Sequence, residues 1–523
     1  MRRSAVVVGC TAVVCLISAW LPASAHPTGA TAYPLRVWGT VAQATGTHSV
    51  RLATNVQESQ VSGTGSLTVD WGDGKQSTLD YSDAANRWEQ TAFPHTYAEP
   101  GAYKVQVTVS EAGQIASQQV SLTTQGGEFF PVTPARVLDT RTGTGTGTAA
   151  RVASGHTVTI DPATFPARPG GPLSAVVLNL TAVSPSGSGY VTAWSDISGG
   201  RPTSSSLNYL AGQTRANSVT VPVGPDGKIH LYNQGGTVDL LADLQGYYAA
   251  QAGQGYHPLV PTRLMDTRTT LNGRAAAKVP GRGSATLAIE GAPAVPAQGV
   301  TAVALNLTET GSTAPGFVTA YPDGAAVPQA SNLNFAAKQD VPNLVVVPLG
   351  ADGKVRFFNG SGKPIDLVAD IEGYYTSTPG LDFVPAQVAP GLTGSNATPV
   401  AATRILDTRT GLSWQNAVPK GRIGAYKPLY TVVPAFVNEG APAQAMVLNL
   451  TTVNPDTTGW LWVDYLDQSG AKATSGANYV PHQAVSNGFM AITEGSPRGI
   501  ELAFANMSSG STDLLIDVAG YFA

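Results

Sequence analysis

The sequence predicts an all-β protein in which a small N-terminal β domain precedes three tandem modules of the β-sandwich or jelly-roll kind. Three observations carry this. The stretch Pro134-Ala135-Arg136-Val137-Leu138-Asp139-Thr140-Arg141-Thr142 returns as Pro261 to Thr269 and again as Ala402 to Thr410. Each copy then passes the same landmarks, Asn-Leu-Thr at Asn179, Asn306 and Asn449, and closes on Gly-Tyr-Tyr or Gly-Tyr-Phe at Gly246, Gly373 and Gly520. Composition is the third: 12% charged residues with 58 Gly and 37 Pro suits short strands joined by turns rather than long helices.

In chain order, residues 1–25 read as a secretory signal. Arg2 and Arg3 begin it, Ala5 to Leu21 form an apolar run, and Ala23-Ser24-Ala25 is an A-x-A-like cleavage site. Both cysteines, Cys10 and Cys15, leave with it, so the mature chain is expected to lack disulfides and cysteine-based metal sites. With Arg2 and Arg3 removed, 28 basic residues face 34 acidic ones. That balance argues against nucleic acid as a partner, since no basic stripe is present to displace counterions. No later apolar span is long enough for membrane insertion.

Between residues 33 and 125, Tyr103, Val105, Val107 and Val109 alternate with Lys104, Gln106 and Thr108, as in a strand with one buried face. Gly72-Asp73-Gly74 and Glu99-Pro100-Gly101 are turn sequences. Val69-Asp70-Trp71-Gly72-Asp73-Gly74, followed by His95-Thr96-Tyr97 and the Gly101–Val109 strand, resembles the two hallmark segments of PKD domains. The resemblance implies an immunoglobulin-like sandwich. Asp70 and Asp73 read as turn carboxylates accepting backbone N–H bonds in preference to calcium ligands, because the calcium-loop pattern is missing.

The modules are bounded at 129–249, 256–376 and 399–523, with connections at about 126–128, 250–255 and 377–398. Module one offers eight short strands, near 134–139, 156–160, 175–182, 190–195, 205–210, 217–223, 228–233 and 237–244. An Asp-Gly hairpin signal lies between the sixth and seventh at Asp226-Gly227. A β-trefoil or barrel would use the same spacing.

Recurring polar residues are the tempting site candidates. Asp239 and Asp243, like their counterparts, stand four apart on one strand face, about 13 Å, too far for a glycosidase carboxylate pair. Arg136 or Arg141 pairing with Asp139 or Asp243 would fix the first and last strands side by side. The equivalents are Arg263, Asp266, Arg268 and Asp370, then Arg404, Asp407, Arg409 and Asp517. The sequon amides are expected to satisfy an adjacent loop. Among recurring aromatics, Tyr190, Phe317 and Trp460, with Tyr209, Phe335 and Tyr479, read as core by their alternation with polar neighbours. Trp194, Tyr321 and Tyr465, toward their strand ends, are the candidates for exposed ligand-binding faces.

The opening and closing motifs together resemble repeats ending in Gly-Tyr-Phe or Gly-Tyr-Tyr found in secreted actinobacterial envelope proteins. That resemblance implies an extracellular, envelope-facing context and no particular activity. The seven histidines form no H-E-x-x-H site, and no nucleophile elbow or phosphate-binding loop is present, so no catalytic, metal or cofactor site is assigned. Two readings compete. One is a secreted, non-catalytic adhesin-like protein that recognises extracellular polysaccharide or a cell-wall component through repeated weak sites. The other is a structural surface spacer without a ligand site, and a peptidase or glycosidase is a weaker third.

Overall fold

The computed structural model describes residues 35–44, 47–57, 64–82, 89–124, 126–195, 200–224, 226–386, 403–413, 418–433, 437–438, 441–464, 474–496 and 499–523. The expected signal, Tyr465 and residues 387–398 of the third connection lie outside them. Among the described residues the chain is antiparallel β, with one 3₁₀ turn at Pro162–Thr164 and no helix long and apolar enough to cross a membrane.

The N-terminal domain packs a sheet of Arg36–Ala44, Ser49–Gln57 and Glu89–Thr96 against one of Gln76–Ser82, Thr64–Asp70, Ala102–Glu111 and Gln114–Thr123. Its core holds Trp71, Val105, Val107 and Val109, all fully buried, so the period-2 pattern of the Ala102–Glu111 strand faces inward as read. Asp70 Oδ1 accepts from Gly72 N at 2.9 Å and Asp73 Oδ1 from Lys75 N at 3.0 Å. The other oxygen of Asp73 meets His95 Nε2 at 3.0 Å, and the His95 ring stacks on Trp71.

Module one has eight strands: Glu128–Asp139, Thr157–Ile160, Leu173–Val183, Gly189–Trp194, Leu207–Tyr209, Arg215–Pro222, Ile229–Gln234 and Asp239–Ala249. Strands six, three, eight and one form one sheet, and strands five, four, seven and two the other. This is the strand order of a jelly roll. Module two repeats it from Gly255–Asp266 to Asp366–Thr376. In module three the first strand is split, with Phe383–Pro385 and Thr403–Asp407 both pairing with Asp513–Phe522. Phe383 stands opposite Phe522 as Tyr256 stands opposite Tyr375 and Phe129 opposite Tyr248. The module-three sheet therefore begins inside the 377–398 stretch read as a connection, well before residue 399.

The modules are not separate beads. Along Leu173–Val183, Val176, Leu178 and Leu180 fill module one's own core, whereas Ala175 and Val177 join a second core shared by all three modules. A strand buried on both faces reads as a continuous apolar run, which is why alternation is weak there. At the centre of the shared core six rings form a closed cycle. Centroid distances are 5.1 Å for Phe129–Tyr248, 4.2 Å for Tyr248–Phe383, 5.7 Å for Phe383–Phe522, 4.2 Å for Phe522–Tyr256, 5.0 Å for Tyr256–Tyr375 and 4.3 Å for Tyr375–Phe129. The glycines of the closing motif make room for it. A Cβ on Gly246, Gly373 or Gly520 would lie 2.3 Å from Phe129, Tyr256 or Phe383 respectively, so only glycine lets the ring approach.

Around the rings runs a cycle of amides. Asn179 Nδ2 donates to Ser331 O of module two, Asn306 Nδ2 to Ser475 O of module three, and Asn449 Nδ2 to Ser205 O of module one at 2.8 Å. A second asparagine from each neighbour caps the first. Asn343 donates to Asn179 Oδ1 at 2.8 Å, Asn487 to Asn306 Oδ1 at 3.2 Å and Asn217 to Asn449 Oδ1 at 2.9 Å. These bonds satisfy buried amides that would otherwise each cost about 1–3 kcal/mol. The loops served by the Asn-Leu-Thr sequons thus belong to the next module.

At one position of this interface the three copies carry different side chains. Gln245 Oε1 accepts from Val346 N at 2.8 Å and Glu372 Oε2 from Met490 N at 2.7 Å, but the third module has Ala519, beside a small cavity of about 30 Å³ lined by Thr220 and Leu344. Glu372 is fully buried and its Oε1 has no partner. Burial pushes its carboxyl well above the ordinary carboxylate range, against the lowering pull of the Met490 N–H. A carboxyl raised on folding contributes its full stability below its unfolded pKa of about 4.3 and loses it as pH rises through the folded value. Glu372→Gln, which copies Gln245 and carries no titrating proton, should match the parent melting temperature at pH 4 and exceed it at pH 8. Thermal unfolding at the two pH values checks this, and equal melting temperatures at pH 8 would place an ionised carboxylate in the interface.

Candidate functional site

The opening motif and the last strand meet in every module. Arg136 forms a two-point ion pair with Asp243, its Nε on Oδ1 and its Nη2 on Oδ2 at 3.2 Å, and its Nη1 reaches Asp139 Oδ2 at 3.0 Å. Arg263 binds Asp370 at 2.8 and 3.1 Å, and Arg404 binds Asp517 at 2.8 and 3.0 Å. Arg141, Arg268 and Arg409 each grip the aspartate two residues earlier, Asp139, Asp266 and Asp407, at 2.9 and 2.7 Å. Thr140, Thr267 and Thr408 donate to Asp239, Asp366 and Asp513. Every charge of the recurring motif thereby finds its ion-pair partner within its own module, and Asp243 Oδ2 also accepts from Ser331 N of module two at 3.3 Å. The arginine hydrogen bonds hold Asp139 and Asp266 below the ordinary carboxylate range against the opposing effect of burial.

Trp194 and Tyr321, expected to be exposed, are buried, at 7% and 2% exposure. Strand-end position does not bare them, because the neighbouring strand sets His230 and Tyr232 beside Trp194 and Arg356 opposite Tyr321. In module three the position equivalent to Tyr321 is Asp464, and Tyr465 falls outside the described residues.

The recurring aromatics that keep part of their surface open are a different set. Tyr209, Phe335 and Tyr479 are core residues as read, but Tyr190, Phe317 and Trp460 are half-buried and belong to no core cluster. Each has an asparagine directly across the sheet: Asn208, Asn334 and Asn478. At the junction of modules two and three, Trp460 and Asn478 face Arg263, Arg268, Thr308 and Asp340 across a cleft of about 260 Å³. Alternation alone marks these aromatics as inward; the signal that they sit at a junction is the asparagine one strand away, which pairs with them only once the fold is known.

In urea, Arg404→Leu should cost about 3–5 kcal/mol, because it strands a fully buried Asp517. Arg409→Leu, at a half-exposed arginine, should cost about 1 kcal/mol or less. Equal effects would remove the distinction drawn between the two arginines.

No family model matches the chain, and no curated protein matches it. Among solved structures, the atomic structure of Sulfolobus turreted icosahedral virus aligns at 10% identity over 81% of this chain and 90% of that one, with a TM-score of 0.15. A tetra-tandem repeat from the extending region of a large adhesion protein aligns at 12% identity over 91% of this chain and 99% of that one, with a TM-score of 0.14. At such scores these likenesses carry no functional argument.

Proposed function

We propose that the chain is an exported, non-catalytic binding or adhesion protein whose ligand is an extracellular polysaccharide or a cell-wall component. The observation that supports this most is the half-buried aromatic repeated once per module beside an asparagine, since sugar rings stack on aromatic faces and their hydroxyls bond to amides. The committed charges of the opening motif favour scaffold over acid–base chemistry. The reading also draws on the resemblance of the N-terminal sequence to PKD domains and of the three modules to repeats of secreted envelope proteins. A spacer gains reach by stringing modules end to end, and three modules folded around one shared core forgo that reach, which favours binding over spacing.

Retention of the whole protein on purified cell wall and on a panel of insoluble polysaccharides tests the reading. Specific retention that a soluble oligosaccharide displaces is the expected result. Passage through every matrix without delay would leave the spacer in its place.

A further inference from the structure

We propose that the cleft between modules two and three is the primary carbohydrate subsite and that it takes a neutral sugar ring; this rests on the polysaccharide reading above. The three junctions are related but not equivalent. In modules one and two, Asn208 and Asn334 donate their amides to Ser205 and Ser331 Oγ at 3.0 Å. Asn478 at the second junction has an Oδ1 without a partner, and Thr308 Oγ1 on the opposite wall also has none. Both oxygens are buried in the walls of one cleft, and rotation of the amide or the hydroxyl would turn a polar atom toward a ligand there. This junction also carries the largest of the three aromatics, Trp460, where the others have Tyr190 and Phe317.

Charge decides the class of sugar. Arg263 and Arg268 line the cleft, but Arg263 is paired with Asp370 and Arg268 with Asp266, while Asp340 adds a further carboxylate. No net positive charge is left for a uronic acid or phosphate. Arg268 keeps 48% of its side chain exposed and uses Nε and Nη2 on Asp266, which leaves the Nη1 donors for a neutral hydroxyl. A volume of about 260 Å³ lies just under the roughly 300–1,000 Å³ typical of drug-sized ligands, which suits one or two sugar rings of a longer chain.

The test is calorimetric titration of the full chain with cellohexaose, N-acetylchitohexaose and hexagalacturonic acid, beside retention on the insoluble panel. Binding of a neutral hexasaccharide is expected, weakened roughly tenfold by Trp460→Ala, as loss of one stacked ring implies, and less by Trp460→Phe. Asn478→Ala should also weaken it, and Ile115→Ala, at an exposed position of the N-terminal domain, should leave it unchanged. Melting temperatures equal to the parent's exclude unfolding as the cause. Wild-type retention that Trp460→Ala and Trp460→Phe leave intact overturns the cleft assignment while the polysaccharide reading stands. Binding confined to hexagalacturonic acid overturns the neutral class. No binding and no retention by the wild type overturns both.

Discussion

Six aromatic rings, two from each module, close into a cycle at the centre of the chain, and the rest of the array depends on that closure. Phe129, Tyr256 and Phe383 begin the modules, and Tyr248, Tyr375 and Phe522 end them. Each beginning ring touches both its own module's ending ring and that of another module, so the cycle closes only when all three copies are folded. Removing any one ring would open a cavity of the size that typically costs about 3–5 kcal/mol. A lone module would expose Tyr256, Tyr375 and the apolar outer face of its inner sheet, a patch of the kind that monomeric soluble proteins avoid. Three copies in one chain therefore act as a single-chain trimer, with high local concentration supplied by the peptide connections.

The recurring motifs divide by job. The arginine and aspartate clamps work within a module, fixing the first strand against the last where backbone pairing is interrupted by bulges. The Asn-Leu-Thr and Gly-Tyr-aromatic motifs work between modules. Because both jobs recur in every copy, recurrence by itself points to architecture. Among the half-buried aromatics, what differs between copies then ranks the sites, and Trp460 with the unpartnered Asn478 Oδ1 is such a difference.

Much of this was legible in the sequence. The copy number, the eight strands of module one and the set of arginines and aspartates that pair all follow from spacing and periodicity, whereas which arginine takes which aspartate does not. The association was not, because the pieces that build it lie where the strand readings stopped: residues 128–133 before the opening motif and 245–249 after Asp243. The repeated order aromatic, any residue, proline at Phe129, Tyr256 and Phe383 was the available clue. It also marked the start of module three ahead of its inserted segment. The aromatic assignment failed for a related reason. Alternation tells which side of a strand a residue takes, but a sheet that contacts a second module has two inner sides, and a strand end is covered or open according to neighbours that no local pattern records.

Hydrogen exchange across the whole protein tests the shared core most directly. With Phe383→Ala in module three, protection should fall together at Val177 in module one, Val346 in module two and Val447 in module three, since one cycle supports all three inner sheets. Loss confined to module three, with Val177 and Val346 as protected as in the parent, would contradict the account and make the modules independent.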